Sequence, residues 1–140
     1  VDPADIARNR SKIVYGVDDN PANLKFLEET LTEAGYTFVG FSGGLDCVSA
    51  IFRAPPKLIL LDVQMPVIDG FETCRRLRAL PEGRAIPVAF LTGMKTREYV
   101  RAGVMAGGND FIIKPFDRLK LLERVQMWTS RRIDPVLPRP

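Results

Sequence analysis

Several polar side chains in this 140-residue sequence stand directly after short apolar runs, and together they suit one kind of chemistry. Asp18-Asp19 follows KIVYGV, Asp62 follows KLILL, Thr92-Gly93 follows IPVAFL, and Lys114-Pro115 follows DFII. Three carboxylates brought together repel one another; at a separation of about 4 Å and an effective dielectric near 20, each pair costs about 4 kcal/mol. Such a cluster either raises a carboxyl pKa and takes up a proton or holds a hard divalent cation. Mg²⁺ typically takes one or two carboxylates, several waters and a phosphate oxygen. A lysine beside it adds a fixed positive charge and a threonine adds a hydroxyl donor. This is the equipment for accepting a phosphoryl group on a carboxylate: one Asp attacks, the cations neutralise the phosphoryl oxygens and the hydroxyl holds one of them. Taken singly, each feature is ordinary, since Asp and Thr cap turns and helices and Lys-Pro marks a turn. Their weight comes from each one ending the appropriate strand.

Those strands have to be positioned by a fold. Candidate strands run over 12–17, 36–41, 57–61, 86–91 and 110–113, mostly as unbroken apolar stretches, the pattern of strands buried on both faces of a parallel sheet. Helical patterns lie between and after them. Asn20-Pro21 offers an N-cap and a first-turn proline, Leu24, Leu27, Leu31 and Ala34 form a stripe, and Gly35 stops the helix. Further helices are expected over 45–53, 70–80, 96–106 and 117–130. The helix at 70–80 turns Phe71, Cys74 and Leu77 inward and its arginines 75, 76 and 78 mostly to water. In the last helix, Leu119, Leu122, Val125 and Trp128 are expected to form the core stripe. Five βα units in succession predict an α/β, flavodoxin-like, doubly wound parallel sheet of order 2-1-3-4-5. In that order strands one, three, four and five are neighbours, so their polar ends converge. Strand two lies at the edge and ends in Phe41-Ser42, without charge. Residues 1–10 read as a lead-in, 11–130 as the domain, and 131–140 as a proline-rich tail or linker.

Composition narrows the alternatives. The chain is 46% hydrophobic and 26% charged, ordinary for a globular domain, and no run approaches the roughly 18 apolar residues of a membrane span. It has no histidine, so it cannot itself carry a phosphohistidine, form a Ser-His-Asp triad or bind zinc through imidazole. Cys47 and Cys74 have no metal-type spacing and are expected to be reduced thiols, in keeping with a cytoplasmic setting. Residues 1–83 carry 9 basic and 12 acidic side chains, whereas 84–140 carry 11 and 5. The basic members, among them Lys95, Arg97, Arg101, Arg118, Lys120, Arg124, Arg131 and Arg132, have the spacing of solvated helix faces, so direct nucleic-acid binding is not expected.

The stretches VDDNPANLKFLEETLTEAGY, LILLDVQMPVIDGFETCRRLR, IPVAFLTG and GGNDFIIKPF resemble the receiver domains of two-component response regulators, over about residues 11–130. The most specific is a hydrophobic strand running into D-x-x-M-P-x-x-D-G. The resemblance implies Asp62 as phosphoacceptor, with a sensor histidine kinase or phosphotransfer protein as partner. It implies Mg²⁺ (or Mn²⁺) as cofactor, held by Asp19 directly, by Asp18 partly through water, by Asp62, and by the backbone carbonyl of Gln64. Thr92 corresponds to the switch hydroxyl and Lys114 to the phosphate-pairing lysine, and the Lys114–Pro115 bond is expected to be cis. Phe111 falls at the aromatic switch position, so that phosphorylation would alter the face built from the fourth helix, fifth strand and fifth helix of the βα units. Such a module is a signalling receiver that promotes only its own phosphotransfer and dephosphorylation, and is not otherwise an enzyme.

The same resemblance implies that Gln64, Gly93 and Met94 fall at positions that modulate the site. Gly93 leaves access to a phosphodonor, and bulky Met94 is expected to slow loss of the phosphate. Lys120 stands where many DNA-binding regulators place an acid that pairs across a dimer, although Asp110 and Arg124 do resemble other members of that contact set. Homodimerisation through this face is thus left open. A haloacid-dehalogenase-type phosphatase would need D-x-D, and Gln64 cannot supply the second acid. A flavodoxin would need a Ser/Thr/Gly loop where Asp18-Asp19-Asn20-Pro21 stands. The alternative to a phosphorylated receiver is a constitutive protein-interaction module of the same fold.

Overall fold

Five short apolar runs pair side by side in the computed structural model, which describes residues 2–130. The strands are β1 (Ile13–Val17), β2 (Thr37–Phe41), β3 (Leu58–Asp62), β4 (Val88–Thr92) and β5 (Asp110–Ile113). All pairs are parallel and the order is β2-β1-β3-β4-β5, as the sequence pattern predicts. The α-helices of the described residues are α1 (Pro3–Asn9), α2 (Pro21–Glu33), α3 (Gly44–Ala50), α4 (Gly70–Ala79), α5 (Arg97–Met105) and α6 (Arg118–Thr129).

The two-residue period of a strand sorts the side chains into two cores. Tyr15, Val17, Ile59, Leu61, Val88 and Phe90 join Cys47, Phe71, Cys74 and Leu77 from α3 and α4 on one face. Val14, Leu58, Leu60, Ala89, Leu91 and Ile112 join Leu27, Leu31, Leu121 and Val125 from α2 and α6 on the other. Continuing the alternation to the strand ends, Asp18, Asp62 and Lys114 take the parity of the second face, and Thr92 and Phe111 that of the first. Both cysteines are free and buried.

Several local expectations are corrected. The lead-in contains α1, started by Asp2, whose side chain accepts the Ala4 N–H at 2.9 Å, with Pro3 in its first turn. Seven residues are too few to display a helical period, and tertiary contact holds the segment. Asn9 donates its amide to the Ala34 carbonyl at 2.9 Å, and Ile6 lies so close to Gly35 (φ +98°) that a Cβ there would be 2.6 Å from the Ile6 carbonyl oxygen. The core stripe of α6 also runs differently. Leu119 is 67% exposed, and Leu121 and Val125 are buried, with Leu122 and Trp128 at the flanks. Arg78 does not face water freely. Its guanidinium donates to the carbonyls of Gly83 (2.6 Å), Ile86 (2.8 Å) and Gly107 (2.9 Å) and to Asn109 Oδ1 (2.9 Å), tying the start of β4 to the α5–β5 turn. Arg124 is likewise half-buried; it donates to Asp110 Oδ1 at 2.5 Å, and Trp128 Nε1 donates to Asp110 Oδ2 at 2.8 Å. The tail at 131–140, with Arg131 and Arg132, lies outside the described residues.

Candidate functional site: an acidic cluster at the carboxyl edge of the sheet

Strand register brings the polar groups together. Val17 pairs with Leu61, so Asp18 and Asp62 follow side by side; Asp62 pairs with Leu91, and Thr92 pairs with Ile113, which Lys114 follows. Asp62 and Thr92 are the last residues of their strands rather than the first residues beyond them, because the parallel ladder continues through their backbones whatever their side chains. Carboxylate oxygens of Asp18, Asp19 and Asp62 all lie within 4.8 Å of one another. Lys114 Nζ donates to Asp62 Oδ1 at 3.2 Å and stands 3.9 Å from Asp18 Oδ2. The Lys114–Pro115 peptide bond is cis.

Burial sets the three acids apart. Asp18 and Asp62 are 1% and 8% exposed, whereas Asp19 faces solvent. Loss of hydration, and after it the Asp18 charge, pushes the Asp62 carboxyl above its ordinary range; Lys114 pulls it back by charge and hydrogen bond, and Asp19 adds a smaller upward push. Asp18 is held by the chain entering α2, accepting the Asn20 N–H (2.9 Å) and Asn23 Nδ2 (3.0 Å). An all-oxygen donor set with excess negative charge fits a hard divalent cation, and it lacks the sulfur or imidazole that softer metals favour.

The surrounding loops are tightly turned on one side of this corner and uncrowded at Gly93 on the other. The β3–α4 loop turns sharply: Val67 has φ +71°, an uncommon conformation for a β-branched residue, and is 88% exposed. Gly70 then returns so near β3 that a Cβ would be 2.4 Å from the Asp62 carbonyl oxygen, and its N–H donates to the Val63 carbonyl at 2.8 Å. Asp69 caps α4 by accepting the Glu72 N–H at 2.7 Å. Gln64 is exposed in the same loop. On the other side, buried Thr92 accepts the Met94 N–H at 3.0 Å through its hydroxyl oxygen, Gly93 has open space where a Cβ would stand, and Met94 is 42% exposed. Phe111 is half-buried, 5.2 Å from Phe90 between ring centroids and directly beneath Gly103 of α5. Nothing in the sequence alone points to Asn23; a polar residue in the first turn after Asp-Asp-Asn-Pro is the available signal, and it is not decisive without the fold. Gly70 closes the D-x-x-M-P-x-x-D-G pattern, and its close return to β3 supplies the physical reason for glycine there.

The sequence model of the response regulator receiver domain matches residues 14–126. The chain belongs to that family. It is a receiver domain of two-component systems, 39% identical over 117 residues to the response regulator PleD of Caulobacter vibrioides, covering 84% of this chain and 26% of PleD. It is also 33% identical over 125 residues to the sensor protein GacS of Pseudomonas syringae, covering 87% of this chain and 14% of GacS. The receiver therefore spans about a quarter or less of the length of these two relatives. Among solved structures it is similar to the receiver domain of sensor histidine kinase PA1611 from Pseudomonas aeruginosa PAO1, with a TM-score of 0.79 and 32% identity over 86% of this chain and 98% of that one. That structure has a magnesium ion coordinated in its active site cleft. The chemotaxis protein CheY4 of Vibrio cholerae superimposes with a TM-score of 0.80 at 28% identity, covering 83% of this chain and 97% of that one. Among the described residues, no helix of the receiver is long and apolar enough to cross a membrane.

Proposed function

We propose that this receiver accepts a phosphoryl group on Asp62 from a phosphohistidine of a partner kinase or phosphotransfer protein. The observation that carries the reading is the position of Asp62, buried, 3.2 Å from the Lys114 ammonium and within 4.8 Å of two further carboxylates. An Asp62 carboxylate oxygen attacks phosphorus, the P–O bond forms as the P–N bond of the donor breaks, and the bond pair returns to the imidazole nitrogen. Lys114, already oriented toward Asp62, stabilises charge on the transferring oxygens, and the Thr92 hydroxyl turns from its contact with Met94 to donate to one of them.

Asp18, Asp19, Asp62 and the Gln64 carbonyl are the residues that would hold Mg²⁺ or Mn²⁺. The ion, when bound, supplies positive charge that lets the acids and the phosphoryl oxygens share one site. Gln64, Gly93 and Met94 flank the site and set water and donor access. Thr92 and Phe111 share one face of adjacent strands, which supports their acting as a coupled pair. Movement of the Phe111 ring would be felt by α5, and so by the α5–β5–α6 face, which is the fourth helix, fifth strand and fifth helix of the βα units. The Asp110–Arg124 pair closes within one chain, so this face does not depend on a second copy to satisfy those charges.

Incubation with acetyl phosphate and Mg²⁺, followed by intact mass, tests the reading. One phosphoryl group should be gained and should be absent in Asp62→Asn; no gain in the unmodified chain would favour the constitutive interaction module instead.

A further inference from the structure

Resting on the reading of the acidic cluster as a cation site, we infer that Asn23 is its positioning residue: its amide sets the Asp18 carboxylate without altering the charge of the cluster. Asp18 is 1% exposed, so its oxygens have to find partners inside the protein. Oδ1 accepts the Asn20 N–H at 2.9 Å and Oδ2 accepts Asn23 Nδ2 at 3.0 Å. A carboxylate offers about four acceptor positions, so both oxygens keep capacity for a cation after these two bonds form.

The Asn23 side chain is carried on a rigid support. Its own N–H donates to the Asn20 carbonyl at 3.1 Å, the Asn20 side chain accepts the Ala22 N–H at 2.9 Å, and Pro21 occupies the first helical turn. The helix start therefore sets the amide, and the amide sets the acid. Lys114 is the competing partner. Its ammonium is 3.9 Å from Asp18 Oδ2, beyond good hydrogen-bond distance, but 3.2 Å from Asp62 Oδ1. Without Asn23, Asp18 Oδ2 loses the donor that holds it away from that ammonium, and a small turn about the Asn20 contact closes an ion pair in place of the cation. A lysine or arginine at position 23 would neutralise Asp18, and an acid would add a fourth negative charge. A neutral amide donates a hydrogen bond and does neither.

Calorimetric Mg²⁺ titration of the unmodified chain, Asn23→Ala and Asn23→Leu tests this, since leucine keeps nearly the same bulk without a donor. Loss of a residue that orients a metal ligand costs roughly 10–100-fold in affinity, and about tenfold weaker Mg²⁺ binding is expected in both variants. The Mg²⁺ concentration for half-maximal phosphorylation by acetyl phosphate should rise by the same factor. Unmodified affinity in either variant overturns the inference. Asn23 also lines a cavity of about 310 Å³ with Phe26, Lys114 and Phe116. If Mg²⁺ binding is unchanged while the half-saturating concentration of phosphodonor rises, Asn23 is only a wall of that cavity and the inference fails. Absence of Mg²⁺ binding by the unmodified chain removes the cation-site reading itself, and the inference with it.

Discussion

Replacing Asp62 by Asn should make the metal-free receiver more stable at neutral pH, although it removes the residue at the centre of the proposed chemistry. Two like charges stand within 4.8 Å of Asp62. At 4.8 Å and an effective dielectric near 20, each repulsion is about 3.5 kcal/mol, and more at closer approach. Lys114, at 3.2 Å, returns an attraction of similar order, but its side chain is one-third exposed and it is shared with Asp18. Burial of Asp62 adds to the unfavourable side, in keeping with its raised pKa. A net gain of about 1–2 kcal/mol is expected, or about 3–8 °C in Tm. The pH dependence has a definite sign. Folded Asp62 binds its proton at higher pH than the unfolded chain does, so stability from this group is full below the ordinary carboxylate pKa and is lost as pH rises through the folded value. The gap between Asp62→Asn and the unmodified chain should therefore close on acidification. Saturating Mg²⁺ should reverse the order, since binding at 100 times Kd adds about 2.7 kcal/mol to the form that holds it. Urea unfolding at neutral and acid pH, with Mg²⁺ and with chelator, measures each difference. A variant no more stable than the unmodified chain in chelator at neutral pH, or a gap that persists in acid, would refute the electrostatic account.

Arg78→Met should destabilise the domain by about 2–4 kcal/mol, because it leaves the carbonyls of Gly83, Ile86 and Gly107 and the Asn109 side chain without the guanidinium. A shift in urea midpoint worth less than about 0.5 kcal/mol would show that water replaces it. Gly103→Ala places a Cβ 2.3 Å from Phe111 Cζ and 3.1 Å from Phe90 Cε2, so the Phe111 ring has to move or α5 has to lift. A cost of about 1–3 kcal/mol is expected, read by thermal unfolding, and an unchanged Tm would mean that the ring has free space to occupy.

The sequence by itself determined the sheet order and the convergence of Asp18, Asp62, Thr92 and Lys114 on one edge of it. Unbroken apolar runs identify strands covered on both faces, and in a parallel sheet every strand ends on the same side, so chain order alone groups those residues. Other features were decided only by contacts between segments distant in sequence. The α1 helix is too short to announce itself and is held by Ala34 and Gly35; Arg78 looks like one of several surface arginines until the α5–β5 turn is brought against it. The stripe of α6 could not be told between Leu119 and Leu121, because a helix rich in leucine offers two adjacent faces and the sheet selects one. The hold of Asn23 on Asp18 depends on how α2 leaves β1. An angle between two elements is set by packing over the whole core, and no local run of residues encodes it.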